Sequence, residues 1–331
     1  MPFKLPFWSP SDADAVLFDW DGVIANTSLD FSTLRKKYYG DRRAMLLEDS
    51  VSLPPEEREA LLREIEELEI AGAAAATPVP GASDVIGWFE KHGIPWAVVS
   101  RNCRRSILKA AETLSVDLPE VVRSRDDGHS VKPDPRALTE TCGAIGANPA
   151  QTLLIGDYIY DMTGARRAGM RGVLVRETVE PGWDEWLEFS CRSMGELLQA
   201  LESPSPIVPW EYQETATLYG ADFLAKTATM TALVPDDLPR GCDARLLSAA
   251  SLGIGSFAVG DAIFSPRQWK ENPSFEPACM GLPLREAVGR LLSARFPLVS
   301  VERAAAAGRC IKLPDRPDAI EGFLETARAD G

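Results

Sequence analysis

Five short apolar runs, each closing on a polar or charged residue, alternate with segments of helical period, and few folds accommodate that rhythm. The runs are AVLFD (15–19), PWAVVS (95–100), EVVRS (120–124), TLLIGD (152–157) and GVLVR (172–176). Continuous Val, Ile and Leu without polar alternation marks strands covered on both faces, as in a parallel sheet. Between them stand SDVIGWFEKHG, RRSILKAAETL, PRALTETCGAIG and DMTGARRAG. Their apolar residues recur every three or four positions and most close on glycine, the pattern of crossover helices. The chain therefore reads as α/β, built on a doubly wound parallel sheet.

One stretch interrupts the alternation. Between the first run and Pro80 there is no strand signal, only two helical patterns at about 31–49 and 54–76, which predict a helical insertion over residues 26–78. Pro54 and Pro55 open the second helix, acids fill its first turn, and Leu61, Leu62, Ile65 and Leu68 are expected on its buried face, with a solvated acidic face opposite. The prolines of SPSPIVP predict a linker at 203–209, closing a first domain of 12–202. Residues 210–331 read as a smaller α/β or α+β domain. Its expected strands are FAVGDAIF, PLVSVERAA and GRCIKL, and its expected helices LREAVGRLLSARF and DAIEGFLETARA. It carries no catalytic motif, which leaves self-association open as its role.

Composition excludes several classes of function. A net charge of -14 repels nucleic-acid backbones and anionic lipid, so neither is an expected partner. The longest apolar stretch, residues 251–264, is too short and glycine-rich to span a bilayer, and the N-terminus lacks the apolar run of a signal peptide, so a cytoplasmic location is expected. The six cysteines show no C-x-x-C pair and read as reduced, buried thiols.

Polar residues at the carboxyl ends of parallel strands share one crevice. There the chain places Asp19 and Asp21 (FDWDGVIANT), Ser100 with Arg101 and Asn102, Lys132 (VKPDP), and Asp157 and Asp161 (GDYIYD). Singly, Asp157 reads as a helix cap, Ser100 as a turn hydroxyl and Lys132 as a solvated cation. Together, four carboxylates in one crevice repel one another unless a cation sits among them.

D-x-D-G-V, Ser, K-P-D-P and G-D-x-x-x-D, in that order over 12–202, resemble the four motifs of the haloacid dehalogenase superfamily. The start is similar to that of the phosphoglycolate phosphatase and β-phosphoglucomutase subgroup, with a Rossmann-like core and a small helical cap. The resemblance implies a Mg²⁺-dependent phosphomonoesterase acting on a small phosphorylated substrate. In it Asp19 is the nucleophile that forms an aspartyl-phosphate, and Asp21 the general acid/base. Asp19, the Asp21 carbonyl, Asp157 and Asp161 surround the metal, with Asp161 as ligand or as an outer partner. Ser100 and Lys132 bind the phosphoryl group, and Arg101 and Asn102 are further candidates. The chain has Asn26 where related phosphatases commonly carry aspartate, a position structural in character.

Alternatives remain. A sugar-phosphate mutase needs a cap that encloses an intermediate, and this cap is short. Phosphonate cleavage needs a cap lysine, for which Lys36 and Lys37 are weak candidates beside Arg35. Dehalogenation does not need Asp21. A non-catalytic protein binding a phosphorylated ligand would not require the intact acids. His92 and His129 lack a serine or cysteine partner, and His92 reads as a helix terminus.

Overall fold

The computed structural model describes residues 3, 6–40, 42, 44–128, 130–304 and 310–313. The chain divides into two units, Ala13–Pro204 and a second that joins Met1–Asp12 to Ser205–Gly331.

The first unit contains β1 (Ala15–Phe18), β2 (Ala25–Asn26), β3 (Thr77–Pro78), β4 (Trp96–Val99), β5 (Val122–Arg123), β6 (Thr152–Gly156), β7 (Arg171–Val175) and β8 (Phe189–Cys191). Six of these form one parallel sheet in the order β5-β4-β1-β6-β7-β8. β1 is buried at every residue because strands flank both edges and helices cover both faces. Sequence order reverses between β1 and β6, and Phe18 is in register with both Val98 and Ile155, so the carboxyl ends of β4, β1 and β6 finish level. The eighth strand was not foreseen, since FSC is too short to carry a pattern.

The unit's helices are α1 (Ser32–Tyr39), α2 (Leu46–Asp49), α3 (Pro55–Ala74), α4 (Ala82–Lys91), α5 (Arg104–Leu114), α6 (Pro135–Ala144), α7 (Ile159–Arg167) and α8 (Met194–Glu202). α1, α2 and α3 make up the insertion, joined to the sheet through the antiparallel β2–β3 pair, Asn26 opposite Thr77. That pair corrects the expectation of no strand before Pro80. The first expected helix is also broken, because Gly40 leaves helical geometry at φ 63° and ends α1. On α3 the buried stripe is Leu61, Ile65, Glu69 and Ala73, spaced by four, whereas Leu68 is 38% exposed. The expected face was thus displaced by one position at its C-terminal end, and it includes an acid. Leu61 and Ile65 pack with Leu34 and Leu46 in a small core of the insertion's own.

The second unit is α/β rather than α+β. Its strands β9 (Thr231–Leu233), β10 (Ser256–Val259), β11 (Ser300–Arg303) and β12 (Cys310–Lys312) pair in parallel in the order β11-β10-β9-β12. Its helices are α9 (Gln213–Tyr219), α10 (Ala221–Thr227), α11 (Cys242–Ser251), α12 (Pro266–Glu271) and α13 (Leu284–Ser293). Phe257, Phe264, Phe275 and Leu246 lie in its core. The expected strand FAVGDAIF stops at Val259, and Ile263 instead forms an isolated bridge with Pro283. The expected helix at 318–329 lies outside the described residues. Within the proline-rich 203–209 stretch, Ile207 exchanges two backbone hydrogen bonds with Trp8, at 3.0 and 2.8 Å.

Candidate active site

The acids sit where the strands stop. Asp19 follows β1, and its backbone N–H still donates to the Ile155 carbonyl of β6 at 2.9 Å. Its Oδ1 accepts from the Trp20 N–H at 2.7 Å and from Lys132 Nζ at 2.7 Å, while among the described residues Oδ2 has no hydrogen-bond partner. Lys132 is 1% exposed and also meets Asp161 Oδ1 at 2.6 Å. Asp161, on the first turn of α7, accepts from the Tyr158 N–H at 3.1 Å through its other oxygen. Asp19, Asp157 and Asp161 offer carboxylate oxygens that all lie within 4.8 Å of one another.

So tight an array is electrostatically unsatisfied. Burial, with Asp161 adding its like charge, pushes Asp19 up to about 7 against the pull of Lys132. Asp157 rises to about 8, through burial first and then the negative fields of Asp19 and Asp161. Burial opposes the Lys132 charge, yet Asp161 and Asp19 together hold its pKa above the usual lysine value. Two glycines permit this packing. A Cβ on Gly22, which has φ 77°, would stand 2.2 Å from Asp157 Oδ2, and one on Gly156 would stand 2.3 Å from the Asp161 side chain.

Asp21 stands apart from the three-carboxylate group. Its Oδ1 accepts from the Thr27 N–H at 2.9 Å and from the Thr27 hydroxyl at 2.5 Å. Thr27 was not singled out from the sequence, since a threonine six residues on reads as a turn residue.

The loop after β4 carries Ser100, Arg101 and Asn102. Ser100 is buried and its Oγ accepts from the Asn102 N–H at 3.1 Å. Asn102 is 8% exposed, and among the described residues its buried Nδ2 has no hydrogen-bond partner. Arg101 turns to the insertion: its guanidinium reaches both Glu48 oxygens at 2.7 and 3.0 Å, donates to the Lys132 carbonyl and lies over the Tyr160 ring. The sequence offered Arg101 as a further phosphate-binding candidate; its side chain lines the site's cavity while paired with Glu48.

Asp19, Asp21, Ser100, Arg101, Asn102, Asp157 and Asp161, but not Lys132, line one cavity of about 350 Å³, bounded also by Phe31, Arg35, Ile65 and Glu69 of the insertion and by Tyr158 and Tyr160. Lys36 and Lys37 do not line it, and the Lys37 ammonium is paired with Glu64 at 2.6 Å. Asn26 uses its side chain locally, accepting from the Ser28 N–H and hydroxyl. His92 ends α4, its Nδ1 2.7 Å from the Trp88 carbonyl, and His129 lies outside the described residues.

The model of the haloacid dehalogenase-like hydrolases matches residues 32–175. Pyrophosphatase PpaX of Halalkalibacterium halodurans is 26% identical over 56% of this chain and 96% of its own length. N-acetylmuramic acid 6-phosphate phosphatase of Pseudomonas aeruginosa is 29% identical over 49% of this chain and 81% of its own. The Ala13–Pro204 unit is a haloacid dehalogenase-like hydrolase. A solved hydrolase from Pseudomonas syringae is 22% identical, with a TM-score of 0.48 over 58% of this chain and 99% of its own. In the hydrolase unit the α1–α3 insertion, the expected cap, contributes Phe31, Arg35 and Ile65 to the lining of the crevice. Among the described residues, no helix of the chain is long and apolar enough to cross a membrane.

Proposed function

We propose that this hydrolase is a phosphatase that cleaves a small phosphomonoester through an aspartyl-phosphate on Asp19. The observation that carries the reading is a pair of neighbouring acids, each held through one oxygen by its own partners. Asp19 is held by Lys132 and the Trp20 N–H through one oxygen, and Asp21 is held by Thr27 through one of its own. A nucleophile needs one fixed and one available oxygen, and a proton carrier needs the same. The phosphatase names of the relatives support the reading.

The donor set fits Mg²⁺. It offers oxygen alone, and Asp19 and Asp157, raised first by burial and further by neighbouring acids, are carboxylates whose charge a cation would favour. Asp19 and Asp157 would hold the ion. Asp161, with both oxygens already engaged by Lys132 and the Tyr158 N–H, acts from behind by fixing Lys132. When bound, the ion neutralises charge on the phosphoryl oxygens.

In the first step an Asp19 oxygen attacks phosphorus, the bond from phosphorus to the leaving oxygen breaks, and Asp21 gives that oxygen its proton. In the second, water attacks phosphorus, Asp21 takes the water's proton, and the bond to Asp19 breaks, releasing inorganic phosphate. Ser100, the Asn102 amide and Lys132 receive the phosphoryl oxygens throughout. A cavity of about 350 Å³ suits a phosphorylated metabolite of modest size.

Asp19→Asn tests the mechanism. The amide is nearly isosteric but a poor nucleophile, so phosphate release should fall by about 10³-fold or more with the melting temperature preserved. Near-wild-type turnover would sink the mechanism. Wild-type protein that isomerised a sugar phosphate, or released no phosphate from a broad panel of esters with Mg²⁺, would replace the phosphatase reading with the mutase or ligand-binding one.

A further inference from the structure

Glu69 is a buried acid on the inner stripe of a cap helix, 2% exposed, at a place where the neighbouring turns present Ile65 and Ala73. A carboxylate is retained there only if other groups replace its water. They do so from two loops of the core. Arg125, after β5, reaches both Glu69 oxygens at 2.5 and 2.9 Å, and the Cys103 N–H, after β4, donates to Glu69 Oε2 at 2.9 Å. Ser106 on α5 adds a hydrogen bond from its hydroxyl to the Glu69 carbonyl at 3.2 Å.

The same arginine grips the loop that carries Ser100 and Asn102. Its guanidinium donates to the Arg101 carbonyl at 3.1 Å, and its backbone N–H donates to the Asn102 carbonyl at 3.0 Å. Three consecutive residues, 101–103, thus have a backbone group tied to Glu69 or to its partner. On this loop the Asn102 Nδ2 is buried and the Ser100 hydroxyl is held by the Asn102 N–H. Among the described residues neither side chain has a further protein anchor, so the backbone sets where both face.

Resting on the reading of 100–102 as the phosphate side of the site, we infer that Glu69 is a positioning residue through which the cap holds this loop in its phosphate-binding geometry. Phosphate affinity is then coupled to the seating of α3. With the helix in place, the loop is braced by Glu69 and Arg125. Were the helix to lift, the Cys103 N–H would lose its acceptor, Arg125 would lose its counter-charge, and the grip on phosphate would relax.

Glu69→Gln keeps the shape and an acceptor for the Cys103 N–H but removes the charge that orients Arg125. KM for a small ester such as p-nitrophenyl phosphate and the inhibition constant of inorganic phosphate should both rise by about tenfold, with the magnesium half-saturation within about twofold of wild type. Isothermal titration with inorganic phosphate reads the same loss without turnover. A merely structural role would lower kcat with the folded fraction and leave KM and phosphate affinity alone, and that result overturns the inference. So does a parallel loss of magnesium affinity, which would mean that the whole crevice had loosened. If Glu69→Gln does not fold, Arg125→Lys, which keeps the charge but not the fork, takes its place with the same expected and overturning results. Wild-type protein inactive on every ester would sink the phosphatase reading itself, whereas active wild type with an indifferent variant sinks only this inference.

Discussion

At the scale of single residues, the site is governed by carboxylates that are closer than they would choose to be. Asp157 is raised to about 8 and Asp19 to about 7, so without metal their ionised forms are disfavoured in the folded protein. A folded pKa above the unfolded one, about 3.9 for aspartate, gives stability that is present at low pH and lost as pH rises through the folded value. Magnesium requires the ionised acids and removes their repulsion. The rise in melting temperature on adding Mg²⁺ should therefore be larger near about pH 8.5 than near about pH 6. Equal shifts at the two pH values would contradict this account. Gly22→Ala tests the packing, because its Cβ would fall 2.2 Å from Asp157 Oδ2 at a backbone φ of 77°. We expect its magnesium half-saturation to rise by about tenfold or more, and an unchanged value would show that Asp157 can shift without consequence. The strand-end acids and Lys132 were legible because chemistry, order and strand position coincide. Thr27 and Arg125 were not, since nothing in their neighbourhood separates them from turn and surface residues.

At the scale of elements, the cap shows how far periodicity carries. Its two helical patterns were visible, yet its first helix is cut at Gly40 and its long helix buries Glu69 where Leu68 was expected. Glu66, Glu67 and Glu69 look alike in a run of acids. Only the fold brings Arg125 to one of them, and such a long-range ion pair leaves no local signal. The cap has its own apolar seam, with Leu61 fully buried beside Leu34, Leu46 and Ile65. Leu61→Ala should cost about 2–5 kcal/mol through lost burial and the cavity left behind, lowering the melting temperature. A loss below about 0.5 kcal/mol would mean that the seam collapses around the gap or does not bear on stability.

At the scale of the whole molecule, the proline-rich 203–209 stretch signalled a boundary, but nothing signalled that Met1–Asp12 belongs with the residues beyond it. Pairing between segments that flank an entire domain has no local pattern to betray it. Trp8 is 1% exposed, stacks edge-on with Phe3 at 5.6 Å and pairs its backbone with Ile207. A chain cut after Pro204 keeps this aromatic segment while losing Ile207 and the rest of its unit. It should aggregate through the exposed rings. A chain of Ala13–Pro204 sheds the segment as well, and retains Asp19, Asp21, Ser100, Lys132, Asp157 and the whole cap. We expect it to be soluble and folded by circular dichroism, and to hydrolyse p-nitrophenyl phosphate with kcat/KM within about threefold of the full chain. A folded but inactive Ala13–Pro204 would show that the second unit takes part in catalysis. Equal solubility of the two shortened chains would show that Met1–Asp12 does not depend on the residues after Pro204.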